Sequence, residues 1–403
     1  MKKTNNLRFK IKDGSVEFIL SEAEELTIGL GLKKSQTFLN RFNFLPSAAA
    51  YCRCLLPTAY CLLLTAYCLL LPTISFSQDI HFSQYDFSPL TLNPALTSAY
   101  KNNQVTVHYK EQWKVANAYR TSAVTFEMKL NQKIWKKLAK GLAFGINVFS
   151  DKAGDGNMKQ TQANLSIAYH TLLDQNNTLS GGIMGGVAQR SISPNGLRWN
   201  NQYLGGVYDP NISSGENFST QSFVNGDYSA GLLWSYGEGS RYMTANDQKF
   251  INAGFAVSHV GNPKQSFIGN SSEQLNWKWT VHANSLLGIE NTPFSIGPSL
   301  LYMRQGAFNE LTFGGLIKYK FKEASKYTGY IKGAAISAGC FYRNRDAVMP
   351  FFLIEIDRYS IGISYDTNIS GLANATNGRG GFEITLRFGN PSSFNKFNAK
   401  SRF

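Results

Sequence analysis

From residue 104 onward the chain alternates apolar and polar residues in short runs, the period-2 signature of strands with one apolar and one polar face. The clearest case is Tyr359, Ile361, Ile363 and Tyr365 on one side, with Ser360, Gly362, Ser364 and Asp366 on the other. Phe382, Ile384, Leu386 and Phe388 repeat the pattern against Glu383, Thr385 and Arg387. Earlier runs are equally regular, among them Val124, Phe126, Met128 and Leu130, then Leu142, Phe144, Ile146 and Val148. Fourteen such segments are predicted: 104–113, 119–130, 141–150, 160–170, 179–190, 228–236, 250–259, 277–287, 294–303, 311–321, 334–343, 349–357, 359–366 and 382–388. Most have the roughly 9–11 residues of a tilted membrane strand.

A soluble sandwich alternates too, so the ends and connections decide. Aromatic residues cluster at strand termini, including Trp113, Tyr119, Tyr169, Trp234, Trp277, Trp279, Tyr302, Tyr319, Tyr342 and Tyr359. That placement matches two interfacial girdles. The longest connections, 191–227, 260–276 and 367–381, all follow odd-numbered strands, while most that follow even-numbered strands are shorter. Long loops on one side and short turns on the other are the habit of outer-membrane barrels. The prediction is therefore an all-β fold: a transmembrane outer-membrane β-barrel of about fourteen antiparallel strands spanning 104–388. Val124, Phe126, Ile361, Ile363, Ile384 and Leu386 are expected to face lipid, and an arginine at Ser364, on a wet inner face, is expected to be tolerated better than one at Ile363. Arg379, Gly381, Ile384 and Leu386 loosely fit a terminal barrel-assembly signal.

Composition modifies this picture mainly at the N-terminus. Residues 1–77 are read as a leader whose apolar run 55–76 follows Arg41 and Arg53 and ends Ser75-Phe76-Ser77, a small-x-small processing site near 77/78. A retained spanning helix is the alternative, disfavoured by Pro57 and Pro72. The repeat Thr58-Ala-Tyr-Cys-Leu-Leu-Leu64, copied at 65–71, looks like duplicated coding sequence. Residues 78–103, with Pro89 and Pro94, do not alternate and are read as an N-terminal arm or a lumen plug. Residues 389–403 form a tail. The formal charge is +14, but Lys and Arg are dispersed with no basic helix, so solvated loops or anionic headgroups, not nucleic acid, account for it. Four of five cysteines lie in the leader, and Cys340 alone supports neither a disulfide framework nor a zinc site.

Candidate chemistry is sparse. Asp151-Lys-Ala-Gly-Asp-Gly156 lacks the spacing of a calcium loop, and His81, His108, His170, His259 and His282 have no paired metal-ligand spacing. Gly378-Arg379-Gly380-Gly381 precedes a strand, so it is a turn and not a phosphate cradle. No nucleophile and base stand at a telling spacing. The chain is read as a non-enzyme that needs no cofactor or metal.

Two stretches carry a resemblance. Gln78-Asp-Ile-His-Phe-Ser-Gln-Tyr-Asp-Phe-Ser-Pro-Leu-Thr-Leu-Asn-Pro-Ala95 with Tyr109-Lys-Glu-Gln-Trp113 resembles the entry motif of the PorP/SprF family of type IX secretion membrane proteins of Bacteroidota. Residues 341–350, 364–370 and 377–384 resemble its closing motifs. The motif positions are Asn93, Pro94, Trp113, Arg343, Tyr365, Asp366, Asn368, Gly378, Arg379, Gly380 and Gly381, which the resemblance implies are structural or docking positions. It also implies an outer-membrane barrel that assists secretion or surface attachment of cargo with a C-terminal sorting domain, of adhesin or gliding-motility type. Other secretion components and outer-membrane lipid would be its further partners. A porin or lipophile transporter is the alternative. Within the connection 191–227, Trp199, Tyr203, Tyr208, Phe218 and Phe223 are the candidate cargo-contact residues, since aromatic anchors dominate many interfaces.

Overall fold

The computed structural model describes residues 10–12, 15–17, 79–113, 119–130, 141–154, 156–193, 197–216, 221–240, 245–267, 274–322, 333–371 and 373–391. The chain divides into two compact units, Met1–Ser75 and Phe76–Phe403. In the first, Lys10–Lys12 pairs antiparallel with Ser15–Glu17. The proposed processing site and Phe218 lie outside the described residues.

In the second unit the alternating runs fold as fourteen strands. They are β1 (Lys101–Gln112), β2 (Tyr119–Lys129), β3 (Gly141–Ala153), β4 (Met158–Leu172), β5 (Asn177–Ser191), β6 (Ser222–Glu238), β7 (Lys249–Ser258), β8 (Lys278–Gly288), β9 (Phe294–Gln305), β10 (Phe308–Lys322), β11 (Ala334–Arg343), β12 (Ala347–Ile356), β13 (Tyr359–Asn368) and β14 (Arg379–Pro391). Each pairs with its sequence neighbours, and β14 closes onto β1 through pairs such as Ile384 with Tyr109 and Arg387 with Thr106. The result is a closed, wholly antiparallel barrel with no free edge, as backbone groups in lipid require.

Side-chain parity follows the sequence pattern. In β13 every second residue is exposed, with Ile361 at 41% and Ile363 at 40%, while Ser360, Ser364 and Asp366 are buried. Val124, Phe126 and Leu386 are likewise exposed, and Ile384 shares their outward parity. Cys340 is an exposed outward position on β11. Several strands outrun their apolar stretch. β6 begins at Ser222 instead of 228, and β14 runs from Arg379 to Pro391 instead of 382–388, because polar and glycine residues beyond the apolar band continue the ladder without needing lipid contact. Phe223 therefore sits in a strand, paired with Arg190, and Gly380–Gly381 belong to β14 and not to a loop.

Residues 79–100 do not add a strand. They form three short helical turns, Tyr85–Phe87, Pro89–Leu92 and Pro94–Leu96, broken by Ser88 and Asn93, and nearly all their side chains are buried. Pro89 and Pro94 both occupy first helical positions, where the missing N–H costs nothing. Tyr85, Phe87, Leu92, Ala95 and Leu96 pack with Leu233, Leu301, Phe341, Met349, Phe351 and Leu353, inward residues of β6, β9, β11 and β12. The core of this barrel is thus a plug held by its own wall.

Candidate functional site

The plug crosses the lumen in one direction. At the end of the barrel that carries the long connections, the Asp79 carboxylate takes hydrogen bonds from Lys278 Nζ at 2.5 Å and His259 Nε2 at 3.3 Å, and His259 Nδ1 meets Asp227 at 2.9 Å. Burial alone raises the Asp79 carboxyl, but Lys278 and His259 hold it well below its usual range. At the opposite end, which carries the start of β1 and the end of β14, the Ser98 backbone N–H donates to Glu127 at 2.6 Å and the Tyr100 hydroxyl accepts from Asn284 at 2.9 Å.

Beside the Asp79 anchor, in the same long-loop half of the barrel, lies an ionic cluster. The Arg343 guanidinium stands 3.4 Å from Asp366, 3.5 Å from Glu310 and 2.9 Å from Asp346. Lys110 lies 4.0 Å from Asp366. The plug threads through this cluster by its backbone and small polar side chains. The N–H groups of Ser83 and Gln84 donate to Glu383 at 2.8 and 3.0 Å, the Ser83 hydroxyl donates to Asp366 at 2.6 Å, and Lys110 donates to the His81 carbonyl at 3.1 Å. Gln84 Nε2 also donates to Ser364 Oγ at 3.1 Å. The inner face at Ser364 is therefore packed against the plug instead of wet, and the tolerance expected there for an arginine does not apply. The Asp86 carboxylate accepts from Asn284 at 2.8 Å and from Ser299 at 3.1 Å. Arg387 donates to the Asp86 carbonyl at 3.0 Å and lies 4.0 Å above the Phe87 ring.

A third grip centres on Asn93, which is wholly buried. Its Oδ1 accepts from Ala95 N at 2.8 Å, capping the Pro94–Leu96 turn, and its Nδ2 donates to the Leu232 carbonyl at 2.9 Å and lies 3.1 Å from His282 Nε2. Here the wall is carved by glycine. A β-carbon on Gly182 would lie 2.5 Å from Ala95 N, and one on Gly231 would lie 2.0 Å from Asn93 Oδ1. His108 meets the Phe87 carbonyl at 2.8 Å and His170 the Thr97 carbonyl at 2.9 Å. The wall histidines, for which the sequence shows no metal-ligand spacing, all face inward at the plug or its anchors.

The motif positions thus fall into three places. Arg343 and Asp366 meet in the ionic cluster, and Asn93 and Pro94 form the glycine-side grip. Trp113, Asn368, Gly378, Arg379 and Gly380 gather where the β13–β14 connection rejoins the wall. There Asn368 donates to Thr376 and to the Arg379 carbonyl, both at 3.3 Å, and Trp113 N donates to the Gly380 carbonyl at 2.9 Å. Gly380 leaves no room for a side chain, since a β-carbon would sit 2.2 Å from the Asp366 carbonyl oxygen. Tyr365 and Gly381 flank this group, Tyr365 facing outward. Glu310 lies outside the motif stretches and the predicted strands, while Lys110, Glu383, Ser83 and Asp79 lie within them without an individual mark. Their signal was their inward parity or their place in the arm, but nothing in the sequence said that they converge.

At the long-loop end, residues 197–216 form a compact loop. Tyr203–Leu204 pairs with Val207–Tyr208 across Gly205-Gly206, the Tyr203 and Tyr208 rings are 5.6 Å apart, and Arg198 caps Tyr208 at 4.8 Å. Leu204 and Val207 at the tip are 68% and 71% exposed. Trp199 is half-buried at the base, and Phe223 meets Phe267 edge-to-face at 4.9 Å. The predicted aromatic set is therefore not one patch: Tyr203 and Tyr208 form the hairpin, while Phe223 joins the neighbouring connection. At the other end, a recess of about 410 Å³ lies beneath Ala99 and Tyr100, with Lys129, His170, Lys318 and Lys320 in its wall.

A closed fourteen-strand antiparallel barrel with lipid-facing aromatics and an N-terminal segment in its lumen is an outer-membrane barrel of the plugged kind. The chain belongs to the type IX secretion system membrane protein family PorP/SprF, which matches residues 74–388 and so takes in plug and barrel together. No curated protein matches it. Among solved structures it is similar to BamA from Haemophilus ducreyi lacking POTRA domains 1-3, at 10% identity and a TM-score of 0.36, covering 72% of this chain and 70% of that one. It is also similar to CdiB from Acinetobacter baumannii, at 6% identity and a TM-score of 0.35, covering 72% and 60% respectively.

Proposed function

We propose that this barrel assists the secretion or surface attachment of cargo bearing a C-terminal sorting domain, of adhesin or gliding-motility type, and that it does so without enzymatic activity. The observation that carries the reading is the plug. A lumen occupied by a segment hydrogen-bonded to wall residues all round is ill suited to general solute diffusion, so the exposed ends are left as working surfaces. The long-loop end faces outward in this reading, reached after export directed by the N-terminal leader. Its hairpin 203–208 presents apolar and aromatic side chains on a rigid turn, the kind of feature that anchors a protein partner.

The test is to replace Leu204 and Val207 by asparagine and, separately, to delete 203–208, in a strain producing a cognate sorting-domain protein. Surface display of the cargo and its recovery with the barrel are expected to fall severalfold while barrel assembly is unchanged. Unaltered display and recovery would remove the hairpin from the contact. The porin reading predicts instead that purified protein passes small solutes freely, which liposome swelling measures.

A further inference from the structure

A second exposed feature at the long-loop end faces sideways, on the lipid-facing surface. Trp279 on β8 and Arg304 on β9 are cross-strand partners of outward parity, and Trp277 precedes them by one turn of the same alternation. The two indole rings lie 6.1 Å apart and each is 41% exposed. With Asn262, Asn276 and Gly306 they line a recess of about 410 Å³. Gly306, at φ +57°, makes the two-residue turn after β9 and leaves the Asn276 amide close against it. Arg304 has no ion pair or hydrogen bond to any described residue, whereas the outward Arg120 at the same end is paired with Glu111 at 3.1 Å. With no partner among the described residues, an arginine set among membrane-girdle tryptophans is placed to take up an anion.

We propose that this recess binds the phosphate headgroup of a lipid in the leaflet at the long-loop end. The guanidinium suits phosphate because its planar fork can donate two parallel hydrogen bonds. The Asn262 and Asn276 amides add neutral donors, and the indole faces of Trp277 and Trp279 receive the start of the acyl chains, the usual post of interfacial tryptophan. The proposal rests on the membrane placement of the barrel but not on any cargo.

The test uses the full-length protein purified in mild detergent, with native mass spectrometry to count retained lipids and thermal unfolding to read added ones. The probes are a phosphatidic acid, the uncharged diacylglycerol with the same chains, and inorganic phosphate. Phosphatidic acid is expected to stabilise the wild type. Arg304→Gln is expected to weaken that binding at least tenfold, while Arg120→Gln leaves it unchanged. Equal response to diacylglycerol, or equal binding by Arg304→Gln, would overturn the site, and a response to inorganic phosphate alone would overturn its lipid character. Should the barrel reading itself be at fault, Arg304→Gln and wild type would both fail to reconstitute into bilayers, a different outcome from either.

Discussion

Arg343 meets three carboxylates with one guanidinium, and two of them, Glu310 and Asp366, are buried. Removing the cation leaves buried negative charge with Lys110, 4.0 Å from Asp366, as the nearby cation, and breaking such a pair from one side costs about 3–5 kcal/mol. Arg343→Met is expected to lower the unfolding free energy by that order in urea titrations of the bilayer-reconstituted barrel, and Arg343→Lys to recover only part of it, because a point charge cannot serve three separated acceptors. Gly182 poses the opposite problem. Its missing side chain is the space in which the Pro94–Ala95 peptide sits, so Gly182→Ala is expected to cost about 1–3 kcal/mol by overpacking and to raise protease sensitivity of the plug. At this scale the sequence was only partly readable. Asp366, Arg343 and Asn93 stood out through their motifs, but Lys110, Glu310 and Glu383 sit in three different strands, and only the closed sheet brings them to one place.

The elements divide sharply by how far their sequence declares them. Each strand is long, alternates with period 2 and must bury or expose whole faces together, so its existence follows from local pattern. The plug has no period. Its turns are three or four residues long and its partners lie as far as 301 residues away, as Asp86 and Arg387 do, so a stretch with two prolines read equally well as an arm. Deleting 79–97 is expected to convert a poorly conducting barrel into an open one, seen as large stable steps in planar-bilayer recordings. Unchanged conductance would mean that the plug is not the barrier. The Asp79 anchor titrates in a defined direction. Because Lys278 and His259 depress the Asp79 carboxyl, its stabilisation is full above the ordinary value of 3.8 and fades only as pH falls through the still lower folded value. A cysteine placed at Ile80, in a background with Cys52, Cys54, Cys61, Cys68 and Cys340 replaced by serine, is therefore expected to stay protected from membrane-impermeant maleimide at pH 5 when Asp79 is intact and to become reactive in Asp79→Asn at the same pH.

For the whole molecule, the lipid-facing surface and the packed interior impose different penalties on the same substitution. Ile363→Arg puts a charge on the outer face at a cost of roughly 2–4 kcal/mol near the bilayer midplane. Ser364→Arg, one residue on, drives a long cation into the space of Gln84 and the Asp366–Glu383 cluster. It is expected to displace the plug and raise conductance, whereas Ile363→Arg lowers stability without opening the lumen. The two read-outs separate the faces in one experiment.

The direction in which the plug crosses the barrel also sets a schedule for assembly. Its hydrogen bonds to Glu383 and Arg387 use the last strand, and those to His108 and Lys110 use the first. The seam between β1 and β14 joins residues separated by nearly the whole barrel sequence, the slowest kind of contact to form. Once the seam is sewn, a segment that runs from one mouth to the other could enter only by threading its free end through a crowded lumen. The plug must therefore be laid in the open trough of strands while the seam is still unzipped, so that the first part of the barrel to be made serves as the mandrel around which the last part shuts.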